Sequence, residues 1–306
     1  VVHTSGSLIS PAIVPNVDEV VIDLDDQAEL IMDRLTSGTL QQQVVSIVGM
    51  PGLGKTTLAK KVYNDPSITY HFHIRAWCYI SQVYRKRELL LNILSDIMEL
   101  TNDVLELSED DLEFKLYQCL KNRKYLIVLD DLWSREAWND LEFSLPDDKN
   151  GSRILITSRL TDVALTTKSD SIAHSLRLFS DDESWNLLQK KLFNRKDCPD
   201  ELVNLGKKIA RGCKGLPLAV VAISGLLQRT GKKQDWWETV ARTLSSCIAD
   251  DPETRCMDIL ELSYSHLPTY LKPCFLYLGA FLKDREIPVS KLTRLWIAEG
   301  FVQNPE

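Results

Sequence analysis

The chain has 306 residues, 44% of them hydrophobic and 26% charged, which is enough for two or three globular domains with substantial cores. Its formal charge of −7 argues against a surface built to hold nucleic acid. Seven scattered cysteines, an odd number without a C-x-x-C pair, argue for reduced thiols in a cytosolic or nuclear setting and against a disulfide framework or zinc ribbon.

Residues 1–16 mix Ser, Gly and Pro with short apolar pieces and read as a linker or arm without a signal-peptide pattern. Asp25 to Leu35 places Ala28, Ile31, Met32 and Leu35 on one helical face. Gln43 to Val48 is a β-branched run and predicts a buried strand. Next comes Gly49-Met50-Pro51-Gly52-Leu53-Gly54-Lys55-Thr56-Thr57, which fits the phosphate-loop pattern G-x-x-x-x-G-K-[ST] at every fixed position, and a segment able to continue as a helix follows. Glycines let backbone N–H groups converge on a phosphate chain, and the following helix turns its positive end toward the anion. Lys55 supplies a point charge for the outer phosphates, and the Thr56 hydroxyl is suited to magnesium.

The pattern then alternates. Ile74 to Ile80 predicts a strand and Glu88 to Leu100 a helix. Ser108 before three acidic residues predicts the N-cap of a helix running to Leu120. Tyr125 to Leu129 and Arg153 to Thr157 predict further apolar strands, hence a parallel sheet covered on both faces. The first of these ends in Asp130-Asp131, where Asp130 is placed to share a magnesium ion with Thr56 and Asp131 to orient or deprotonate water. The second ends in Ser158-Arg159, and Arg159 could sense a γ-phosphate or pair with a surface carboxylate. His71 and His73 lack a third ligand and read as a surface pair, and Asn150-Gly151-Ser152 reads as a turn.

Beyond about residue 165 helical patterns dominate: 182–193, 201–213, 217–228, 235–247, then 255–263, 268–282 and 289–299. The longest apolar stretch, Leu216 to Leu227, is too short to span a membrane and reads as a buried helix with Pro217 in its first position.

Taken in order, GMPGLGKTT (49–57), KYLIVLDDLW (124–133), GSRILITSR (151–159), GLPLA (215–219), CFLYL (274–278) and LWIAEGF (295–301) resemble the NB-ARC module of plant intracellular immune receptors. That module belongs to the signal-transducing P-loop ATPases. Trp133 after Asp-Asp-Leu resembles the class with an N-terminal coiled coil. The resemblance implies an α/β P-loop domain with a parallel sheet over 17–165, a helical bundle over 166–247 and a winged-helix domain over 248–306. The winged helix is expected to be incomplete, since the family's Met-His-Asp motif is not reached by Glu306. It implies a switch that holds ADP when off and exchanges it for ATP to permit oligomerisation, with slow hydrolysis and Mg2+. Carried over by motif, Gly49, Gly52, Leu53, Gly54, Lys55, Thr56 and Thr57 hold the phosphates. Thr56 and Asp130 serve the metal, Asp131 aids hydrolysis and Arg159 senses the γ-phosphate. Pro217 and Leu218 lie near the adenine, as does Val20-Val21-Ile22, where the glycine usual just afterwards is missing. Implied partners are a coiled coil and leucine-rich repeats of the same receptor and other receptors of its kind, with no nucleic acid and no membrane span. The chain alone is expected to be a monomer. A P-loop kinase or fast ATPase is the alternative; neither an arginine-rich lid nor a basic nucleic-acid track is apparent.

Overall fold

The computed structural model describes residues 24–160, 172–193, 198–230, 234–246, 252–281 and 287–303. Val20, Val21 and Ile22 lie outside the described residues. The chain divides into two compact units, one comprising residues up to Gly49 with Gly54–Leu176, the other Met50–Leu53 with residues from Arg177.

In the first unit, α1 (Asp25–Thr36) precedes β1 (Gln43–Val48), and α2 (Lys55–Tyr63) follows the glycine loop. Then come α3 (Pro66–His71), β2 (Ile74–Tyr79), α4 (Lys86–Ile97), α5 (Asn102–Leu105) and α6 (Glu109–Leu120). The unit closes with β3 (Tyr125–Asp130), α7 (Arg135–Glu142), β4 (Arg153–Ser158) and β5 (Ile172–Ser175). The described strands form one parallel sheet in the order β2-β3-β4-β1-β5. Strands β3 and β4 are buried along their whole length, as expected of strands covered on both faces. Leu89, Leu90, Ile93 and Leu94 of α4 and Leu112, Leu116 and Leu120 of α6 pack into the same core as Ile127, Leu129, Ile154 and Ile156 of the sheet. Each such side chain contributes roughly 1.5–3 kcal/mol by leaving water.

Two local devices set the ends of these elements. Ser108 caps α6 by accepting from the Asp111 N–H at 3.2 Å, as its sequence predicts. Arg153, 2% exposed at the start of β4, donates to the backbone oxygens of Ser37, Thr39, Gln41 and Ser152 at 2.8–3.1 Å. It thereby ties the α1–β1 connection to the strand. Asn150 Oδ1 accepts from both the N–H and hydroxyl of Ser152, so the Asn-Gly-Ser segment is the turn expected of it.

The second unit is helical, with Asp181–Phe193, Asp200–Gly212, Pro217–Thr230, Gln234–Ser246 and Pro252–Ser265. Helices 181–193 and 200–212 meet where Trp185 lies over Gly206; a Cβ there would sit 2.2 Å from the Trp185 ring. The single helix expected over 268–282 is instead a 3-10 turn (Thr269–Leu271), a short helix (Lys272–Tyr277) and a second 3-10 turn (Leu278–Ala280). Pro273 can only begin a helix, and Gly279 weakens its continuation. Val289–Ala298 follows, and Tyr277 makes edge contacts with Phe281 and Phe301.

Candidate nucleotide-binding site

Strands β1, β4 and β3 lie side by side, so their carboxyl ends converge, the position where open α/β sheets bind ligands. From β1 the chain enters the loop 49–54. Gly54 caps α2 with φ +93°, and Gly52 has φ +80°, conformations that carry strain for a residue with a Cβ. Gly52 is also crowded: a Cβ would lie 2.9 Å from Leu218 Cβ, and Gly52 O accepts from the Leu218 N–H at 3.1 Å. Leu218 is the second residue of helix Pro217–Thr230. These residues thus bring the GLPLA motif against one glycine of the loop, within the second unit.

Lys55 opens α2 and is buried, with Nζ donating to Gly49 O at 2.7 Å. Burial, followed by the nearby Arg159 charge, pushes its pKa down to about 8, with Asp131 and Asp130 opposing. Thr56 Oγ1 donates to Asp130 Oδ1 at 3.0 Å. Thr157 Oγ1 donates to the same oxygen at 2.5 Å and accepts from the Asp131 N–H at 2.8 Å. Asp130, 2% exposed, has its carboxyl pushed above its ordinary range by burial, with the two hydroxyl donors opposing. Leu53 is buried, and Thr57 half-buried in the first turn of α2.

Asp131 stands in the left-handed region at φ +60°. Its carboxylate pairs with Arg159 at 3.3 Å and accepts from Trp133 Nε1 at 3.1 Å. The Arg159 guanidinium lies 4.5 Å from the Trp133 ring centroid. Thus Arg159 does pair with a carboxylate, and that carboxylate is the site's own Asp131. Two participants were not singled out from sequence: Thr157, as a link between Asp130 and Asp131, and Trp133, as a partner of both Asp131 and Arg159. Thr157 could have been found as the hydroxyl residue that follows the apolar run 154–156 at the carboxyl end of the strand.

The donor set fits a magnesium nucleotide. A glycine loop leads into a helix, one buried lysine stands at its mouth, and a hydroxyl and a carboxylate form a hard oxygen pair. Magnesium typically takes one or two protein carboxylates and completes its shell with phosphate and water. No cluster of three or more His, Cys, Asp or Glu suited to a metal occurs among the described residues. His71 contacts Lys124 Nζ at 2.6 Å, and burial and that neighbouring charge lower its pKa, while His73 is exposed. Cys78, Cys119, Cys198, Cys213 and Cys274 are not joined in disulfides. Among the described residues no helix is long and apolar enough to cross a membrane.

Residues 24–198 match the NB-ARC domain. The chain is 43% identical over its whole length to the putative late blight resistance protein homolog R1B-14 of Solanum demissum and 42% identical to the late blight resistance protein R1-A of the same plant. It spans 23% of the length of each. A STAND (signal transduction ATPase with numerous domains) protein with a tetratricopeptide repeat sensor from Pyrococcus horikoshii superposes with TM-score 0.59 at 16% identity, over 91% of this chain and 37% of that one. The ORC2 protein of Aeropyrum pernix, in its ADPNP–ADP complexes, superposes with TM-score 0.53 at 15% identity, over 74% of this chain and 70% of that one. At these identities the solved structures bear on the fold, which is that of an α/β P-loop NTPase.

Proposed function

Since the chain belongs to the NB-ARC family of nucleotide-binding modules, we propose that it is the ADP/ATP switch of a plant disease-resistance receptor, working in the cytoplasm. In this function Gly49, Gly52, Leu53, Gly54 and Thr57 shape the phosphate cradle. Lys55 turns from Gly49 O to the outer phosphates. Thr56 and Asp130 hold Mg2+, which when bound offsets phosphate charge. Asp131 orients the attacking water, and Arg159 distinguishes a γ-phosphate from its absence. Pro217, Leu218 and the Val20–Ile22 segment enclose the base. The ADP form is the off state, and exchange for ATP permits assembly with other receptor copies, while hydrolysis is slow. A coiled coil and leucine-rich repeats are the proposed further parts of the receptor, and the domain limits 17–165, 166–247 and 248–306, the last a partial winged helix, are part of the same proposal.

The observation that carries this is the linkage of Thr56, Thr157 and Asp130 beside the glycine loop and Lys55. Slow turnover is supported by Asp131, whose carboxylate is already paired with Arg159. The test is to denature the purified chain, identify the released nucleotide by mass spectrometry and measure mass by light scattering. A monomer releasing ADP is expected. An ATP-filled oligomer, an empty protein or rapid multiple turnover would refute the proposal.

A further inference from the structure

The residue that follows the acidic pair has a geometry of its own. Leu132 is 1% exposed; its N–H donates to Thr157 O at 2.8 Å, and its O accepts from Ser158 Oγ at 2.7 Å. The chain on either side of Asp131 is therefore fixed to the end of β4. Trp133 leaves that anchored point with its indole N–H directed to Asp131 Oδ2 and its ring face to the Arg159 guanidinium. One side chain thus contacts both groups proposed to act at the γ-phosphate. An indole is suited to this because its edge donates a hydrogen bond while its face attracts a planar cation.

We propose that Trp133 is the positioning residue of this site: its N–H orients the Asp131 carboxylate, and its ring holds Arg159 in the plane from which it meets a γ-phosphate. The two tasks separate chemically. Phenylalanine keeps an aromatic face and loses the donor; leucine loses both.

The first measurement concerns the contact itself and uses no nucleotide readout. With the seven tryptophans carrying 15N indoles, the Trp133 cross-peak is identified by its loss in Trp133→Phe. It is expected to shift in both Asp131→Asn and Arg159→Ala. A peak unmoved in both overturns the proposal. The second measurement rests on the nucleotide-switch function proposed above. Trp133→Leu should weaken ATP binding about fivefold, the scale of one cation–π contact near a surface, and leave ADP binding unchanged. Trp133→Phe should recover ATP affinity yet hydrolyse ATP more slowly at saturation, a change in kcat without one in KM. Equal losses for ATP and ADP in both variants would mark Trp133 as mere packing and overturn the proposal. Were the chain to bind neither nucleotide, the switch function would fall, and the indole measurement would still decide the role of Trp133.

Discussion

Thr157 joins the two acidic residues of the site: its hydroxyl donates to Asp130 Oδ1 at 2.5 Å and accepts from the Asp131 N–H at 2.8 Å. Register makes this possible, because β4 lies between β1 and β3. Thr157→Val keeps the shape and removes both bonds, which is expected to destabilise the fold by about 1–3 kcal/mol, the penalty for leaving buried polar groups unsatisfied. Asp130 already has a raised pKa, so its ionisation in the folded state lowers stability as pH rises through that pKa. The Thr157→Val penalty should therefore be largest at neutral pH and shrink on acidification, whereas Thr157→Ser should stay near wild type. Urea unfolding at several pH values checks this.

Lys55→Ala should abolish tight nucleotide binding, since it removes the motif lysine and its charge-assisted contacts, about 1.5–3 kcal/mol each. Equal nucleotide content in wild type and variant would contradict this. The wild-type affinity should also carry a pH signature. Burial lowers the Lys55 pKa from 10.5 to about 8, while a bound phosphate favours the ammonium form. Affinity is then flat below about pH 8 and falls by up to about tenfold per pH unit above it, as binding must take up a proton. Calorimetry in buffers of different ionisation heat would show the uptake.

Asp130→Asn and Asp131→Asn should separate. The first is expected to weaken the magnesium dependence of ATP binding more than that of ADP binding, because a metal held by Thr56 and Asp130 would offset phosphate charge, which is greater with a γ-phosphate present. The second should leave ATP binding intact and slow its hydrolysis, so that ATP-bound protein accumulates. Binding with and without EDTA, and single-turnover hydrolysis, distinguish the two.

Gly52→Ala meets two obstacles, a left-handed φ of +80° and a Cβ 2.9 Å from Leu218. The backbone strain alone costs about 1–2 kcal/mol. Adding Leu218→Ala should relieve little of the defect, because alanine removes the Leu218 Cδ2 at 3.1 Å but keeps the Cβ at 2.9 Å and leaves the φ of residue 52 unaffected. Thermal unfolding of the single and double variants tests the partition.

Gly206→Ala should destabilise the helical unit by about 1–3 kcal/mol, the usual penalty for overpacking. The new methyl would sit 2.2 Å from Trp185, whose rigid ring has no flexible end to move aside. Differential scanning calorimetry provides the check.

Much of this was legible in sequence because its signals are local. The strand Gln43–Val48 and the Ser108 cap fell where the residue types placed them. What was not legible was non-local or weakly patterned. Strand β5, Ile172–Ser175, is four residues long with a histidine inside, and its pairing with β1 supplies what its sequence does not. Helix α7, Arg135–Glu142, is mostly polar, with only Ala137, Trp138 and Leu141 reaching the core. At the site, Asp130, Asp131 and Arg159 could be read from strand ends. That Arg159 stacks on Trp133 could not, because this contact depends on how two adjacent strands bring their carboxyl ends together.

That dependence gives Arg153 a meaning beyond packing. A run apolar on both faces, such as residues 154–156, has little of its own to distinguish the correct alignment from one slipped by a residue. In β4 such a slip would replace Thr157 with Ile156 or Ser158 beside Asp130. In the slipped alignment Arg153 would give up the Ser37, Thr39 and Gln41 backbone oxygens it grips at the opposite end of the strand. The guanidinium at the foot of β4 thus acts as an address label for the hydroxyl at its head, and the accuracy of the chemical end is written at the end that does no chemistry.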